Sequence, residues 1–307
     1  MWYWYIIVIG VAVAGFLAFL LYAERGRLLR SSTVASTRAG GLRRFFNLSF
    51  LHAYVYERWG NEYGRFGTML LIILHGRRWL TNRYHSKVLT HDCARAVVSL
   101  EVGERIPRRD LEHIIPYEKA REIVLQGPVD IAVGECRCRR NKPDGCEPRD
   151  VCMAVGQPFA GFLLEHQPGS RKLSQAEALD LLKAEHERGH VHTAWFHDAM
   201  LGRFYAICNC CKCCCGGIGA MRAGMPMVTS SGYVAKVSAE ECTACAVCVD
   251  ACPFGAIAME GDWAAVDWNK CMGCGVCEGQ CLPKAISLTL DARKPAPLDV
   301  RALVEQR

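Results

Sequence analysis

The residues ECTACAVCVDACPFGAIAM at positions 241–259 recur at positions 270–288 as KCMGCGVCEGQCLPKAISL. When the two copies are aligned without gaps, all four cysteines coincide, and so do the Ala-Ile pairs at 256–257 and 285–286. An internal repeat of this kind indicates equivalent structural units. We therefore expect two half-units related by a pseudo-twofold axis in the last third of the chain.

The cysteine spacing of the first copy is C-x2-C-x2-C-x3-C followed by proline, a pattern typical of proteins that bind 4Fe-4S clusters. Three thiolates at successive three-residue steps let a loop fold around one face of a cluster. Small Ala and Gly neighbours let backbone N–H groups approach the sulfurs. Zinc bound by paired Cys-x-x-Cys ribbons would explain two cysteines of each copy but not the third and fourth.

On these eight cysteines, residues 233–290 resemble a bacterial-type two-cluster ferredoxin. In that family the fourth cysteine of each motif binds the other cluster. The resemblance implies that one 4Fe-4S cluster is bound by Cys242, Cys245, Cys248 and Cys281, and the second by Cys271, Cys274, Cys277 and Cys252. The sequence departs from the family at Cys281, which is followed by Leu282 before Pro283. That departure affects the local turn rather than the ligand.

The chain contains 19 cysteines, and most of the others lie in two upstream groups. The first group is Cys136, Cys138, Cys146 and Cys152, and the second is the segment CNCCKCCC at 208–215. Cys208, Cys211 and Cys214 repeat the three-residue step, which predicts a further cluster with a fourth ligand from Cys210, Cys213, Cys215 or the earlier group. Another cluster is predicted on the first group. The alternatives are structural zinc and a redox-active dithiol site.

Three further observations concern the part of the chain before the ferredoxin repeats. The CxCR, GC and CNCCxCCC elements before a terminal ferredoxin unit resemble a poorly characterised group of ferredoxin-domain proteins from anaerobic metabolism. His190, His192 and His197 are candidates for metal binding or proton relay, although a structural role is the favoured interpretation. Cys93 is isolated and is predicted to be a small buried side chain.

Trp2–Ala23 contains no charged residue over 22 positions, and as a helix it would extend about 33 Å, enough to span a hydrocarbon core of about 30 Å. A cleaved signal peptide is disfavoured because there is no basic segment before it and no small-x-small site before Glu24. Arginines follow the span and none precedes it. The positive-inside rule therefore predicts a single-pass protein of the cell membrane with the bulk of the chain in the cytoplasm.

The predicted fold class is α+β. We divide the chain into a transmembrane anchor (1–24), a basic helical membrane-proximal region (25–128), a Cys-rich α+β metal-binding domain (129–228), a two-cluster ferredoxin domain (229–291) and a tail (292–307). Within these regions the sequence predicts several helices over 45–127, one of them at 116–126. It also predicts a helix capped by Ser174 with Glu177, and a hairpin of strands 191–196 and 204–207. The apolar residues 69–74 are too few to span a membrane and predict a core or interfacial helix face.

Residues 25–90 carry 12 lysines and arginines against two acidic residues, so the positive charge of the chain, +6 in total, is concentrated there. Residues 229–291 instead contain three lysines and eight acidic side chains. This distribution disfavours a nucleic-acid binder, and neither GxGxxG nor GxxxxGK[ST] occurs to support NAD or ATP binding. The favoured function is single-electron transfer between soluble low-potential donors and a membrane oxidoreductase or another redox protein. The alternatives are a reductase with a catalytic cluster in the upstream domain, and a redox sensor or cluster carrier.

Overall fold

The computed structural model describes residues 2–39, 48–63, 66, 68–101, 103–117, 122–125 and 127–305. It confirms a mixed α+β fold that begins with helix α1 (Trp2–Ala23). Within the described ranges, α1 is the one helix long and apolar enough to cross a membrane. Its length and composition suit a membrane anchor and equally a signal sequence. Because its side chains are almost all exposed, α1 is not the core helix of a soluble domain.

The region after α1 is helical at first and then contributes strands. The helices are α2 (Ser31–Ala39), α3 (Leu48–Arg58), α4 (Gly60–Glu62), α5 (Thr68–His75), α6 (Arg77–Arg83), α7 (His91–Val98) and α8 (Arg108–Leu111). The strands are β1 (Tyr84–Leu89), β2 (Glu104–Pro107) and β3 (Glu122–Leu125). The helix predicted at 116–126 is therefore wrong at 122–125, and residues 118–121 and 126 lie outside the described part. Ile123 and Leu125 alternate with less buried neighbours, so pairing with β2 overrides the helical preference of this segment.

The central sheet joins residues from both of the regions that the sequence separated. Its further strands are β4 (Ile131–Glu135), β5 (Asp150–Val155), β6 (Arg171–Leu173), β7 (Val191–His197), β8 (Arg203–Cys210) and β9 (Val228–Thr229). The strand order is β6-β4-β5-β8-β7-β1-β9, and β3 joins β2 to β8. The predicted hairpin is confirmed as the antiparallel pair β7 and β8, in which His192 lies opposite Asn209.

The two faces of the sheet carry different side chains. The remaining helices around it are α9 (Arg137–Arg140), α10 (Phe159–His166), α11 (Gln175–Glu187) and α12 (Gly216–Arg222). On one face Met153 and Ile207 pack into the main apolar core with side chains of α7 and α11. The capping box predicted for α11 is present, because Ser174 accepts a hydrogen bond from the backbone N–H of Glu177. On the other face Cys208 and Cys210 project towards α12.

The last third of the chain contains two matching halves. Its elements are β10 (Tyr233–Val237), α13 (Val247–Ala251), β11 (Ile257–Glu260), β12 (Trp263–Val266), α14 (Val276–Gly279) and β13 (Ile286–Leu290). Strand β10 pairs with β13, and β11 pairs with β12, both antiparallel. Each repeat thus contributes one strand, one short helix and a second strand in the same order, as the aligned sequences predict.

The tail after residue 291 docks onto the sheet domain. Leu298 and Val300 are buried in the main core, and helix α15 (Val300–Glu305) follows. The side chain of Lys87, buried on β1, donates hydrogen bonds to the carbonyls of Pro295 and Ala296 at 3.2 and 2.7 Å. Docking of the tail thereby joins β1 to a segment more than 200 residues away.

Candidate metal centres

The structure brings the eight C-terminal cysteines together in two groups of four. The thiol of Cys248 interacts electrostatically with those of Cys242, Cys245 and Cys281. The thiol of Cys277 interacts in the same way with those of Cys274, Cys271 and Cys252. The fourth cysteine of each repeat therefore lies with the first three of the other, which is the crossed arrangement implied by the ferredoxin resemblance.

Backbone N–H groups fit the group that contains Cys277 to bind a cluster. The N–H groups of Ala256 and Ala235 donate to the sulfurs of Cys252 and Cys271 at 3.3 and 3.5 Å. Burial raises the pKa of Cys274 to about 12, so this thiol is protonated at neutral pH unless a cation stabilises the thiolate. Metal binding here must therefore release protons.

The upstream cysteines also lie together, but in groups that cross the two sequence segments. In the first group, the four-thiol group, the sulfurs all lie within 4.8 Å of one another; its members are Cys146, Cys211, Cys213 and Cys214. In the second, the six-thiol group, each side chain contacts the next in a continuous series. From one end of the series to the other, the members are Cys208, Cys152, Cys136, Cys138, Cys215 and Cys210. Contacts with Cys136 and Cys208, together with burial, raise the pKa of Cys152 well above that of a free thiol.

This grouping differs from the sets that the sequence suggests. Cys211 and Cys214 lie together, whereas Cys208 lies with Cys152 in the other group. Cys146 is likewise separated from Cys136, Cys138 and Cys152, which remain together. The reason is that β8 continues through Cys210, so Cys208 and Cys210 follow the two-residue period of a strand and not the three-residue step of a cluster loop.

A buried ion pair holds the loop that carries Cys136, Cys138 and Cys146. The guanidinium of Arg139, on α9, donates to Glu185 of α11 at 2.8 Å and to the carbonyl of Asn209 at 3.0 Å. Both charged side chains are completely buried. His190 completes this network through a contact of 2.7 Å with Glu185. The loop that carries Cys136, Cys138 and Cys146 is thus held against the end of β8, beside the cysteines at 208–215.

A cavity of about 430 Å³ opens beside the six-thiol group. Cys152, Cys208 and Cys215 form part of its wall, and the rest is largely aromatic and aliphatic. At the aromatic side the hydroxyls of Tyr56 and Tyr205 are 2.6 Å apart. Burial raises the pKa of Tyr205 well above its usual value, so its hydroxyl stays neutral and able to donate a hydrogen bond. The arrangement is an apolar chamber with thiols at one side and phenolic hydroxyls at the other.

The structure assigns structural contacts to two of the three histidines singled out above. His190 belongs to the buried ion-pair network, and His197 accepts a hydrogen bond from the backbone N–H of Ala199 at 2.8 Å. His192 instead lies beside His91 and His186, which the sequence did not indicate because they come from distant segments. Cys93 is buried, as predicted.

Comparison with known families gives a match in the first repeat. Residues 235–258 match the family described as a 4Fe-4S binding domain, and this range contains all four cysteines of the first repeat. The chain therefore contains a ferredoxin-type iron–sulfur domain, which supports cluster binding and a role in electron transfer. A search of curated proteins finds no match to the chain.

Proposed function

We propose that this protein is a membrane-anchored iron–sulfur protein on the cytoplasmic side of the cell membrane, which passes single electrons between soluble low-potential donors and a membrane oxidoreductase. The observation that supports it best is the crossed grouping of eight thiols in a pseudo-symmetric unit. In this proposal Cys242, Cys245, Cys248 and Cys281 bind one 4Fe-4S cluster, and Cys271, Cys274, Cys277 and Cys252 bind the other. Each cluster supplies a one-electron store whose potential depends on sulfur hydrogen bonds and burial.

The upstream thiols extend this relay by one or two further clusters. Cys210 and Cys215 of the six-thiol group belong to one packed apolar cluster with Met272 and Val276, and Cys274 packs against that cluster. Arg222, which follows the upstream thiols on α12, donates to the carbonyl of Pro253 at 2.7 Å. Direct packing between the two regions favours electron exchange between them.

The contacts at the end of α1 favour an anchor that stays attached over a signal sequence that is removed. Glu24 is almost fully buried and accepts hydrogen bonds from the Tyr54 hydroxyl and the Arg30 backbone N–H, both at 2.7 Å. These contacts join α1 to the folded part of the chain. Helix α5 adds exposed apolar side chains, among them Met69 and Ile73, which suit the membrane interface. Of the two roles predicted for residues 69–74, this exposure favours the interfacial one.

The acidic surface of residues 229–291 favours a partner with a basic docking face. This segment contains eight acidic side chains and three lysines, and bound clusters would add further negative charge. The anchor confines the protein to the bilayer, which raises its effective concentration near a membrane oxidoreductase.

The cavity favours a second function, a reductase whose catalytic cluster is held by the six-thiol group. Its volume of about 430 Å³ lies within the range of small-molecule sites, and its wall includes cysteine side chains. In this case the ferredoxin domain delivers electrons to a substrate in the chamber.

Anaerobic purification of the full chain, followed by iron and zinc quantification and electron paramagnetic resonance, tests the proposal. We expect at least about 8 Fe per chain, and about 12 to 16 if the upstream thiols also bind clusters. Cys277→Ser is expected to remove the signal of one cluster, while the matched variant Cys93→Ser leaves all signals unchanged. A colourless preparation with zinc on the C-terminal cysteines would contradict the proposal. Substrate turnover with a dye donor and no protein partner would favour the reductase.

A further inference from the structure

Three histidines from separate elements meet on the side of the sheet opposite the six-thiol group. His91 begins α7, His186 lies near the end of α11, and His192 lies on β7. One ring nitrogen of each lies within 4.8 Å of one ring nitrogen of each of the others. His91 Nδ1 is 3.2 Å from His192 Nε2, and the rings of His91 and His186 stack with centroids 4.6 Å apart.

A fixed hydrogen bond orients His192 so that its unprotonated ring nitrogen faces this group. The amide nitrogen of Asn209 donates to the carbonyl of Val151 at 2.9 Å, so the amide oxygen faces His192. That oxygen lies 2.6 Å from His192 Nδ1, which must therefore carry the proton and donate it. The lone pair is then on Nε2, the atom that faces His91. Such a partner on the second ring nitrogen is the usual support of a metal-binding histidine.

Hydrogen bonding within the group does not account for His186. Its Nδ1 atom is buried and has no hydrogen-bond partner among the described residues. Buried polar nitrogens are nearly always paired with a protein group, water or an ion. A cation between the three rings would provide the missing partner and would use the Nε2 lone pair of His192 at the same time.

We propose that His91, His186 and His192 form a binding site for a borderline divalent cation, Zn²⁺ first of all. Three imidazole nitrogens with no thiolate among them form a ligand set that suits zinc and leaves a fourth position for water or a small ligand. The site is separate from the thiols because Asn209, which supports it, lies between Cys208 and Cys210 on β8 and projects to the opposite face.

The three-histidine site lies beside the ferredoxin domain, so a bound cation would affect the contact between the two. His186 Nε2 lies against α14 of the ferredoxin domain, so closely that a Cβ atom added to Gly279 would be 3.0 Å from it. Beside it, Gln280 donates to the carbonyl of Glu187 at 2.9 Å. A cation that links α7, α11 and β7 therefore stiffens the surface on which the helix carrying Cys277 packs. The site itself does not depend on the proposed electron-transfer role.

Zinc titration of the full chain with its clusters loaded under anaerobic conditions tests this site. We expect one zinc per chain with X-ray absorption showing nitrogen or oxygen neighbours at about 2.0 Å and no sulfur at about 2.3 Å. His91→Gln and His186→Gln should each weaken binding at least about 10-fold. His113→Gln, an exposed histidine elsewhere, is the matched control and should leave zinc affinity unchanged.

Iron content and the visible spectrum of each variant report whether the rest of the protein is intact. Loss of zinc affinity in both ligand variants with unchanged iron content supports the site. Zinc bound through sulfur in the wild-type protein, no zinc bound, or equal affinity in all three variants would overturn it. These outcomes do not depend on whether the clusters transfer electrons.

Discussion

At the scale of single residues, the two ferredoxin repeats adopt the same left-handed backbone conformation at equivalent positions but with different residues. Ala244 and Ala246 have φ values of 55° and 59°, and the equivalent positions of the second repeat are Gly273 and Gly275, at 61° and 79°. The left-handed conformation is strained for alanine and free for glycine. The loop that carries the cysteines therefore requires this conformation in both repeats. Glycine removes the strain in the second repeat, whereas alanine retains it in the first.

Gly273→Ala is expected to disrupt the group of Cys271, Cys274, Cys277 and Cys252. A Cβ atom at this position would lie 2.1 Å from the carbonyl oxygen of Tyr233, so the loop that carries these thiols must move. We expect iron content to fall by about four per chain, measured after anaerobic reconstitution. Gly255→Ala is the matched control, because it has a similar φ of 62° and no atom within 4 Å of the new Cβ. Equal iron content in the two variants would refute the close-approach argument.

Arg139→Met tests the buried ion pair that fastens the upstream thiol loop. Because Glu185 would lose its fully buried cationic partner and keep only Arg188 and His190, we expect a loss of up to about 3–5 kcal/mol in stability, measured by anaerobic chemical denaturation. Arg140→Met, which removes an exposed ion pair with Glu135, should cost at most about 1 kcal/mol. Similar losses in both variants would mean that the buried pair does not stabilise the fold.

At the scale of elements, the extent of β8 decides the chemistry of the upstream cysteines. The sequence predicts the β7–β8 hairpin but ends its second strand at residue 207, three residues before the strand ends in the structure. Because the strand continues through residues 208–210, the cysteines there follow the two-residue alternation of a strand and not the three-residue step of a cluster-binding loop. Cys208 is thereby placed with Cys152, and Cys211 with Cys146.

Serine variants of Cys208 and Cys211 are expected to affect different metal centres. Cys208→Ser should change the same spectroscopic species as Cys152→Ser, and Cys211→Ser the same species as Cys146→Ser, because each pair shares a thiol group. Electron paramagnetic resonance and iron or zinc content measure the outcome, with Cys93→Ser as the control. If Cys208→Ser and Cys211→Ser affect one common centre, the grouping by sequence step is correct instead.

At the scale of the whole molecule, the chain is held together by contacts between segments far apart in sequence. The end of α1 is tied to Tyr54, the upstream thiols pack against the ferredoxin domain, and the tail crosses back to Lys87 on β1. Residues 25–128, in which the sequence predicts helices, thus also contribute β1 to β3 to the central sheet.

Burial of Lys87, the side chain that binds the tail, predicts that the stability of the protein depends on pH. Burial lowers the pKa of Lys87 from 10.5 to about 7, and the Cys93 thiolate acts in the opposite direction. Between pH 7 and 10.5 the unfolded lysine keeps its proton while the folded one loses it, so the unfolded state binds more protons. Stability therefore rises with pH through this window, by at most about 1.4 kcal/mol per pH unit.

Lys87→Met removes this titration. The melting temperature of the wild-type protein should rise relative to that of the variant between pH 7 and pH 9, with the clusters kept intact under anaerobic conditions. Lys172→Met, which removes an exposed lysine paired with Asp130, should show no such trend. A constant difference between wild type and Lys87→Met across this range would contradict the depressed pKa.

The sequence by itself determines the features that depend on near neighbours along the chain. These include the paired ferredoxin repeats with their cysteine spacing, the apolar helix α1, the capping box of α11 and the existence of the β7–β8 hairpin. Each follows from local geometry, since a loop, a cap or an uninterrupted apolar helix is specified within about 25 residues.

Only the tertiary structure decides the six-thiol and four-thiol groups, the cavity beside them, the meeting of His91, His186 and His192, and the docking of the tail. In each case the interacting side chains come from strands and helices separated by tens to hundreds of residues. Which of them meet depends on strand order, on register and on which face of the sheet each side chain occupies. A one-residue shift in strand register reverses that face, so spacing along the chain cannot specify it.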